Sequence, residues 1–577
     1  MSKQNEIAEV FETIADSLEI LDENRFKIRA YRNAARNILE LDDNIEELNK
    51  RGELSNIPGV GKDLALKIQE YLSSGKLKYY EELKQKVPPT LVDLLGIQSL
   101  GPKTLSMLHS NFGVTNLNEL QSVLDNKELQ NIKGMGPRKI EDIRKGIELL
   151  KKRHERINIG IALPTAVEII NHINKIKGTS NTVYAGSLRR MKETIGDIDI
   201  LTISDNGKEV INQFVNLPFV REILASGETK GSIITNNDIQ VDLRVVNRKS
   251  YGAALQYFSG SQAHNVRLRT MAVRKGLSIN EYGIFREDDC LASQTEEEIY
   301  EVLGLPCFEP EIREDRGEFE AAAGGYLPEL IRQDDINGDL HTHSDWSDGK
   351  SSVEDMVLAA KSIGYSFIAI TDHSPASRIA NGLSIERLRE KKKEIEKIRN
   401  KITGIKILSG AEVDVLSDGT LDYPDSILKE LDIVIASVHS GFKSDRDKMT
   451  RRIINAIKNT YVHILGHPTG RLINEREPYD VDIDEVFKTA LSYGKAVEIN
   501  ASYMRLDLND LNSRKAKNMG IKISINTDAH HTNQLRFMKY GIGTARRGWI
   551  EKDEVINCMN YSRLVKWLDK VRKAKPS

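Results

Sequence analysis

The chain has 577 residues, 39% of them hydrophobic and 29% charged, a composition that suits globular domains with ample core material. At roughly 100–200 residues per domain, that length predicts three to five domains. With 83 Lys and Arg against 85 Asp and Glu, the net charge of −2 excludes an overall basic nucleic-acid binder and leaves room for a local basic face. The apolar stretches, such as Leu431–Val438, are too short to span a bilayer. The start, MSKQNEIAEV, has no apolar signal region. Cys290, Cys307 and Cys558 are too widely spaced for a disulfide framework or a zinc site. These features predict a cytoplasmic monomer with no membrane partner.

The first fifty residues predict two amphipathic helices. In Glu6–Leu21 the apolar residues Ile7, Val10, Phe11, Ile14, Leu18 and Leu21 fall at helical spacing, and a second helix covers about Phe26–Leu39. A repeat follows: IPGVGKDLALKI from Ile57, IQSLGPKTLSML from Ile97 and IKGMGPRKIEDI from Ile132. Each has an apolar start, a glycine four residues on (Gly61, Gly101, Gly136) and then a helical pattern. The first and third also carry an earlier glycine, Gly59 and Gly134, where the second has Ser99. Glycines before a helix N-terminus allow a tight turn with outward N–H groups, a geometry that accepts anions. Lys62, Lys103, Arg138 and Lys139 stand beside these turns, so the expected anion is a nucleic-acid phosphate held without sequence preference. Residues 51–157 carry 18 Lys and Arg against 13 Asp and Glu and end in the basic run Lys151–Arg156. The three segments resemble helix-hairpin-helix motifs.

Residues 159–250 turn to α+β character, with strands predicted over Thr182–Ala185, Ile198–Ile203 and Ile239–Val246. In AGSLRRMKETIGDIDI, Asp197 and Asp199 alternate toward one side, and Asp242 lies on another strand. Three converging carboxylates repel one another unless cations neutralise them, which predicts two hard divalent ions, Mg²⁺ or Mn²⁺, suited to in-line phosphoryl displacement. Gly186 and Ser187 offer N–H groups and a hydroxyl to a triphosphate, and Arg190 offers a planar cationic fork. A helical hairpin follows over about Tyr251–Lys275, and the acidic stretch from Glu309 to Asp335 reads as an irregular interdomain linker.

From Asp339 onward, short apolar strands (FIAIT, IKILSG, IVIASV, HILGH, AVEIN, KISIN) alternate with helical stretches, which predicts a parallel βα barrel. Eight of the twelve histidines lie at or beyond His341. His341, His343, Asp348, His373, Glu412, His439, His467, Asp528 and His530 nearly all follow a strand, and C-terminal strand ends of a barrel converge on one mouth. Nine mixed N and O ligands suffice for two or three ions of Mn²⁺, Zn²⁺ or Fe²⁺. His463, inside a strand, and His531 read as structural, and Arg378 and Arg471 are candidate phosphate contacts.

Three resemblances join these readings. AGSLRRMKETIGDIDI and Tyr257–Phe285 resemble the nucleotidyltransferase palm and thumb of family X DNA polymerases. That resemblance implies catalytic metals on Asp197, Asp199 and Asp242, and triphosphate contacts from Gly186, Ser187, Arg190 and Gly196. It also implies a sugar pocket at Tyr257, Phe258 and Gly260, nascent-pair and template contacts from Asn265 and Arg269, and Glu281 behind them. Two departures concern nucleotide affinity: Ala162 stands where the family has an arginine, and Gln262 where animal members have an aspartate. NRFKIRAYRNAARNI and the first repeat resemble the family's small DNA-binding domain, which makes Lys67 a candidate Schiff-base lysine. The nine ordered ligands resemble the polymerase-and-histidinol-phosphatase (PHP) domain, a distorted (β/α)₇ barrel with phosphoesterase activity.

Together these predict a multidomain α+β and α/β chain resembling the bacterial family X polymerases, PolX. The expected divisions are a helix-hairpin-helix domain (1–80), a helical fingers-like region (81–157), palm (158–250), thumb (251–312), linker (313–335) and PHP barrel (336–577). The implied activities are gap filling on gapped or nicked DNA with dNTPs and 3′→5′ exonuclease, with abasic-site or 3′-end processing beside them. The implied place is the bacterial nucleoid. Two other readings are a DNA-end nuclease or phosphatase whose palm only binds DNA, and a module that recruits repair proteins.

Overall fold

The computed structural model describes residues 3–39, 45–97, 100–126, 129, 132, 135–137, 139–141, 143–144, 147 and 156–574. The chain divides into two compact units, residues 1–156 with 262–278, and residues 157–261 with 279–577. Among the described residues, no helix is long and apolar enough to cross a membrane.

The first unit is helical. Helices α1 (Lys3–Ile20) and α2 (Arg25–Leu39) close on a core of Ile7, Phe11, Ile14, Leu18, Tyr31 and Ile38, the apolar stripe that the periodicity predicts. Two repeats build the same element start. Gly61 precedes α3 (Lys62–Ser74), Gly101 precedes α4 (Pro102–Phe112), and each helix ends on a left-handed glycine, Gly75 and Gly113. Of the third repeat, Gly136 is described and exposed, whereas Gly134 and Arg138 lie outside the described residues, as do Lys151–Glu155 of the basic run.

The second unit holds the palm and the barrel. The palm sheet has strands β1 (Ser180–Tyr184), β2 (Ile198–Ile203), β3 (Val220–Ser226), β4 (Lys230–Thr235) and β5 (Gln240–Val246), in the order β1-β2-β5-β4-β3. Only β2 and β5 run parallel. Helix α5 (Ile159–Ile173) covers the sheet with Ile159, Ala162, Ala166, Ile169 and Ile173 buried. The barrel has seven parallel strands, β6 (Gly338–Asp339), β7 (Phe367–Ile370), β8 (Lys406–Asp414), β9 (Ile433–Ser437), β10 (Ile464–Leu465), β11 (Ala496–Asn500) and β12 (Ile523–Asn526), each paired with the next in the chain. The Thr342–Ala529 bridge and the 2.8 Å bond from His343 N to the Ala529 carbonyl bring the first strand's end back to the last.

Two divisions differ from the sequence reading. The thumb is shared, because helix Gln262–Arg274 belongs to the first unit. The stretch expected to be an irregular linker is folded, with a helix over Glu318–Gly324 and with Arg313, Glu318, Phe319 and Ile331 buried. Its acids mislead because they face inward to partners. Glu318 accepts the N–H groups of Asp315 and Arg316, both at 2.7 Å, and Glu311 accepts from Arg546 at 2.7 Å.

Candidate active sites

In the palm, the parallel register of β2 and β5 sets Asp199 directly beside Asp242. Asp197 stands exposed just ahead of β2. Burial, then the charges of Asp197 and Asp242, push the Asp199 carboxyl up to about 7. Asp242 is also pushed up by burial, but bonds from Ser232 (2.6 Å), Gln240 (3.1 Å) and Lys230 (3.1 Å) outweigh this and hold it below its usual range. A carboxylate raised by its like-charged neighbours is an incomplete charge balance, and hard divalent cations on oxygen ligands complete it. The residues therefore fit the predicted ions.

The turn before them is built to stand close. Gly186 has φ +58°, and a Cβ on it would lie 2.1 Å from Asp199 Oδ2, so both the backbone and the space require glycine. Ser187 follows, half-buried, and Gly196 is exposed. Arg190 ends the turn, 9% exposed, with Nε donating to Glu314 Oε1 at 3.0 Å and Nη1 to the Ser259 carbonyl at 2.9 Å. Glu314 is a partner the sequence reading missed. Tyr257 and Phe258 meet edge to face at 5.1 Å, with the Arg244 guanidinium 4.4 Å above the Phe258 ring, and Gly260 ends their helix. Asn265 and Arg269 are carried on the helix Gln262–Arg274 of the first unit, as is Gln262. Ala162 is buried in the palm core and offers no contact to a phosphate.

In the barrel, all nine predicted ligands converge. Three groups have ligand atoms mutually close enough to hold one ion: His343, Asp348, His373 and His530; His341, His343, Glu412 and Asp528; and His373, Glu412 and His439. Glu412 stands at the centre, 2.9 Å from His373 Nδ1, 3.2 Å from His439 Nε2 and 2.9 Å from His467 Nε2. His341 Nε2, both ring nitrogens of His343, His373 Nδ1, Glu412 Oε2 and His467 Nδ1 are buried without a well-directed hydrogen bond, although His373 Nδ1 and Glu412 Oε2 lie 2.9 Å apart. Such orphaned groups are costly unless something else satisfies them, and bound metal does so. Burial, then the nearby His530 and His373, push His343 down to about 4, which leaves its ring neutral for ligation at pH 7.

Sequence reasoning missed the acids behind these ligands. Glu498 Oε1 lies 2.8 Å from His341 Nδ1, and Asp414 Oδ1 lies 3.1 Å from His439 Nδ1. A carboxylate behind a ligating imidazole fixes its tautomer and raises its basicity. The available signal was an acid inside an apolar strand, as in AVEIN and GAEVD. His463 and His531 are structural as expected. His463 Nδ1 accepts the Val434 N–H at 3.1 Å, and His531 Nδ1 accepts that of Asn533 at 3.1 Å. Arg471 does not face the cluster as a phosphate contact. It is 9% exposed, and its Nη2 donates to Glu193 of the palm at 2.6 Å, while Arg378 is exposed in its loop.

In the first unit, Gly59, Gly61, Lys62, Gly101 and Lys103 are all exposed, and Gly59 holds φ +77° against α2. Gly101 and Lys103 share a cleft with Arg25, Arg29 and Arg36, an arginine face of α2 the sequence reading did not single out. Lys67 is ion-paired with Asp63, and its ammonium lies 5.3 Å from the centre of the Tyr79 ring and 5.8 Å from that of Tyr31.

The chain matches the helix-hairpin-helix domain over residues 2–77 and the SAM-like helix-hairpin-helix tandem over 91–148. It matches the DNA polymerase beta thumb over 254–314 and the PHP domain over 339–502. A DNA polymerase/3′-5′ exonuclease PolX of Bacillus subtilis (strain 168) is 38% identical over 558 residues, 96% of this chain and 97% of the relative. This chain belongs to the PolX family. Shorter relatives are named as phosphatases. A "Probable phosphatase" of Thermoanaerobacter sp. (strain X514) is 35% identical over 230 residues, 38% of this chain and 89% of its own length. Another, of Caldanaerobacter subterraneus, is 36% identical over 203 residues, 33% of this chain and 75% of its own length. The PHP match ends before Asp528 and His530, yet the PolX barrel folds both into the ligand cluster beside His343.

Proposed function

We propose that this chain extends DNA primers with dNTPs at short gaps or nicks in its palm and removes 3′-terminal nucleotides in its barrel, as a repair enzyme acting on bacterial nucleoid DNA. The observation that carries the reading is the presence of two separate polar clusters, Asp199 beside Asp242 in the palm and Glu412 among histidines in the barrel. In the palm, Asp197, Asp199 and Asp242 would hold Mg²⁺ or Mn²⁺, which would supply charge neutralisation and Lewis acidity toward the reacting phosphate. Asp197, Asp199 and Asp242 hold the reacting centre. Ser187, Gly196 and Arg190 orient the triphosphate, while Tyr257, Phe258 and Gly260 confine the sugar. Asn265 and Arg269 contact the nascent pair. The motif turns grip phosphates of the strands flanking the gap, with Gly59, Gly61, Lys62, Gly101, Lys103 and Gly136 exposed for that contact and Gly134 and Arg138 belonging to the same motif by sequence. Lys67 serves an abasic-sugar lyase step only by giving up its Asp63 partner.

In the barrel, the nine candidate ligands would hold Mn²⁺, Zn²⁺ or Fe²⁺, which would supply Lewis acidity toward a phosphodiester. His341, His343, His467 and Glu412 form the buried floor, and Glu498 and Asp414 orient two of the imidazoles. Asp348, His530 and His439 retain 33%, 29% and 22% side-chain exposure and form the rim that a 3′ end approaches. Ala162, in place of a cationic triphosphate contact, favours the other reading, a nuclease that keeps the palm as a DNA platform.

The test is a primer-length assay on 5′-labelled gapped DNA with dNTPs and Mg²⁺ or Mn²⁺. Asp199→Ala is expected to abolish lengthening and spare shortening, and His341→Ala or Glu412→Ala the reverse. Shortening without any lengthening by the wild type would establish the nuclease reading instead.

A further inference from the structure

Palm and barrel lie in one compact unit, and a cluster of ion pairs runs through their junction. Barrel helix α6 (Met538–Arg547) stands directly on the palm turn that carries Gly186, Ser187 and Arg190. A Cβ on Gly543 would lie 2.6 Å from Met191 Cε and 3.0 Å from Met191 Cβ, so this glycine allows the approach. At the end of α6, the Arg547 side chain is 4% exposed. Its Nη1 donates to the carbonyl of Arg190 at 2.8 Å and to Glu314 Oε1 at 2.9 Å, and its Nη2 donates to Asp510 Oδ2 at 2.7 Å. The same Glu314 oxygen accepts Arg190 Nε at 3.0 Å, and the Ser259 carbonyl accepts Arg190 Nη1 at 2.9 Å.

Three properties give this cluster a role beyond docking. Arg190 is held at both ends, its backbone carbonyl by Arg547 and its guanidinium edge by Glu314, and neither contact uses Nη2. Glu314 is matched by two arginines, so it is a fixed anchor and has little charge left to oppose an incoming phosphate. The cluster is also cationic. Arg190, Arg547, Arg316 and Lys192 pair with Glu314 and Asp510, and Arg190 also acts on Asp199, which the turn touches.

We propose that Glu314 and Arg547 are positioning residues for nucleotide binding, through which barrel helix α6 sets the aim of Arg190 at the triphosphate. This rests on the reading of Arg190 as a triphosphate contact. The barrel is then a structural part of the polymerase site as well as a second enzyme.

The experiment is single-nucleotide insertion by the full-length protein on saturating gapped DNA, with the dNTP concentration varied. Glu314→Gln and Arg547→Lys are each expected to raise KM for dNTP about tenfold, the cost of one charge-assisted bond. Both are expected to leave kcat within about twofold, because no group at the reacting atoms is removed. An unchanged rate of 3′→5′ degradation without dNTP reports that the barrel and α6 remain folded. In an Arg190→Ala background, Glu314→Gln is expected to add nothing further to KM, since it acts only through Arg190. An unchanged KM in both single variants overturns the proposal. A lowered KM in Glu314→Gln also overturns it, because Glu314 then competes with the triphosphate for Arg190. An Arg190→Ala protein with normal KM overturns instead the reading of Arg190 on which the proposal stands.

Discussion

At the scale of single residues, the palm turn depends on one glycine as much as on the acid it approaches. Gly186 takes φ +58° and leaves its missing Cβ where Asp199 Oδ2 would be 2.1 Å away. Gly186→Ala therefore strains the turn and displaces the Asp199 carboxylate together. It is expected to lower primer extension on the order of 100-fold, the effect of an ångström-scale misplacement, while 3′-end degradation persists. A side-by-side measurement of the two rates checks this. The pairing of Asp199 with Asp242 was legible because GDID and VDL each place an acid on a strand, and the parallel register sets the two side by side. The partners of Arg190 and His341 were not, because Glu314 and Glu498 lie 124 and 157 residues away, and an acid inside an apolar strand such as AVEIN marks burial without naming the partner.

At the scale of elements, buried ion pairs join strands and helices whose sequences give no sign of each other. Helix Glu296–Val302 begins with Glu296, which binds Arg189 of the palm turn at 2.6 Å and also pairs with the fully buried Arg313. Burial alone would push Glu296 up, but Arg313 and Arg189 outweigh it and bring it to about 2, against an ordinary 4.5. A carboxylate lowered by folding stabilises the fold at every pH above its unfolded value and loses that contribution as pH falls toward the folded one. Between about pH 5 and pH 2, wild type is expected to lose roughly 2–3 kcal/mol that a Glu296→Gln variant does not lose, because the variant has no such group to protonate. Urea midpoints of both proteins across this range check it, and parallel curves would remove Glu296 from the acid response. The same inward-facing acids explain the misread linker. In 309–335 a high acidic content looked like solvated chain, whereas Glu311, Glu314 and Glu318 each have a partner in the fold.

At the scale of the whole molecule, metal is expected to be part of barrel stability as well as of its chemistry. Six buried ring nitrogens and carboxylate oxygens in the cluster lack a well-directed hydrogen bond. A chelator is therefore expected to lower the thermal midpoint of the barrel. Adding Mn²⁺ or Zn²⁺ at about 100 times its dissociation constant should restore about 2.7 kcal/mol per site. The Glu412→Ala protein, missing the central ligand, should show little such recovery, and scanning calorimetry with and without metal checks both. The sequence by itself determined the helical start, the motif turns, the alternation of strands and helices and the ligand sets. Those features rest on spacings of a few residues, which backbone periodicity converts into one face or one strand end. The tertiary structure alone decided which acids orient the histidines, that Arg471 belongs to the palm junction, and that a barrel helix holds the polymerase's Arg190. Except for Asp414 behind His439, such contacts join residues more than a hundred positions apart, and their energy comes from burial and charge pairing that exist only once palm and barrel have folded.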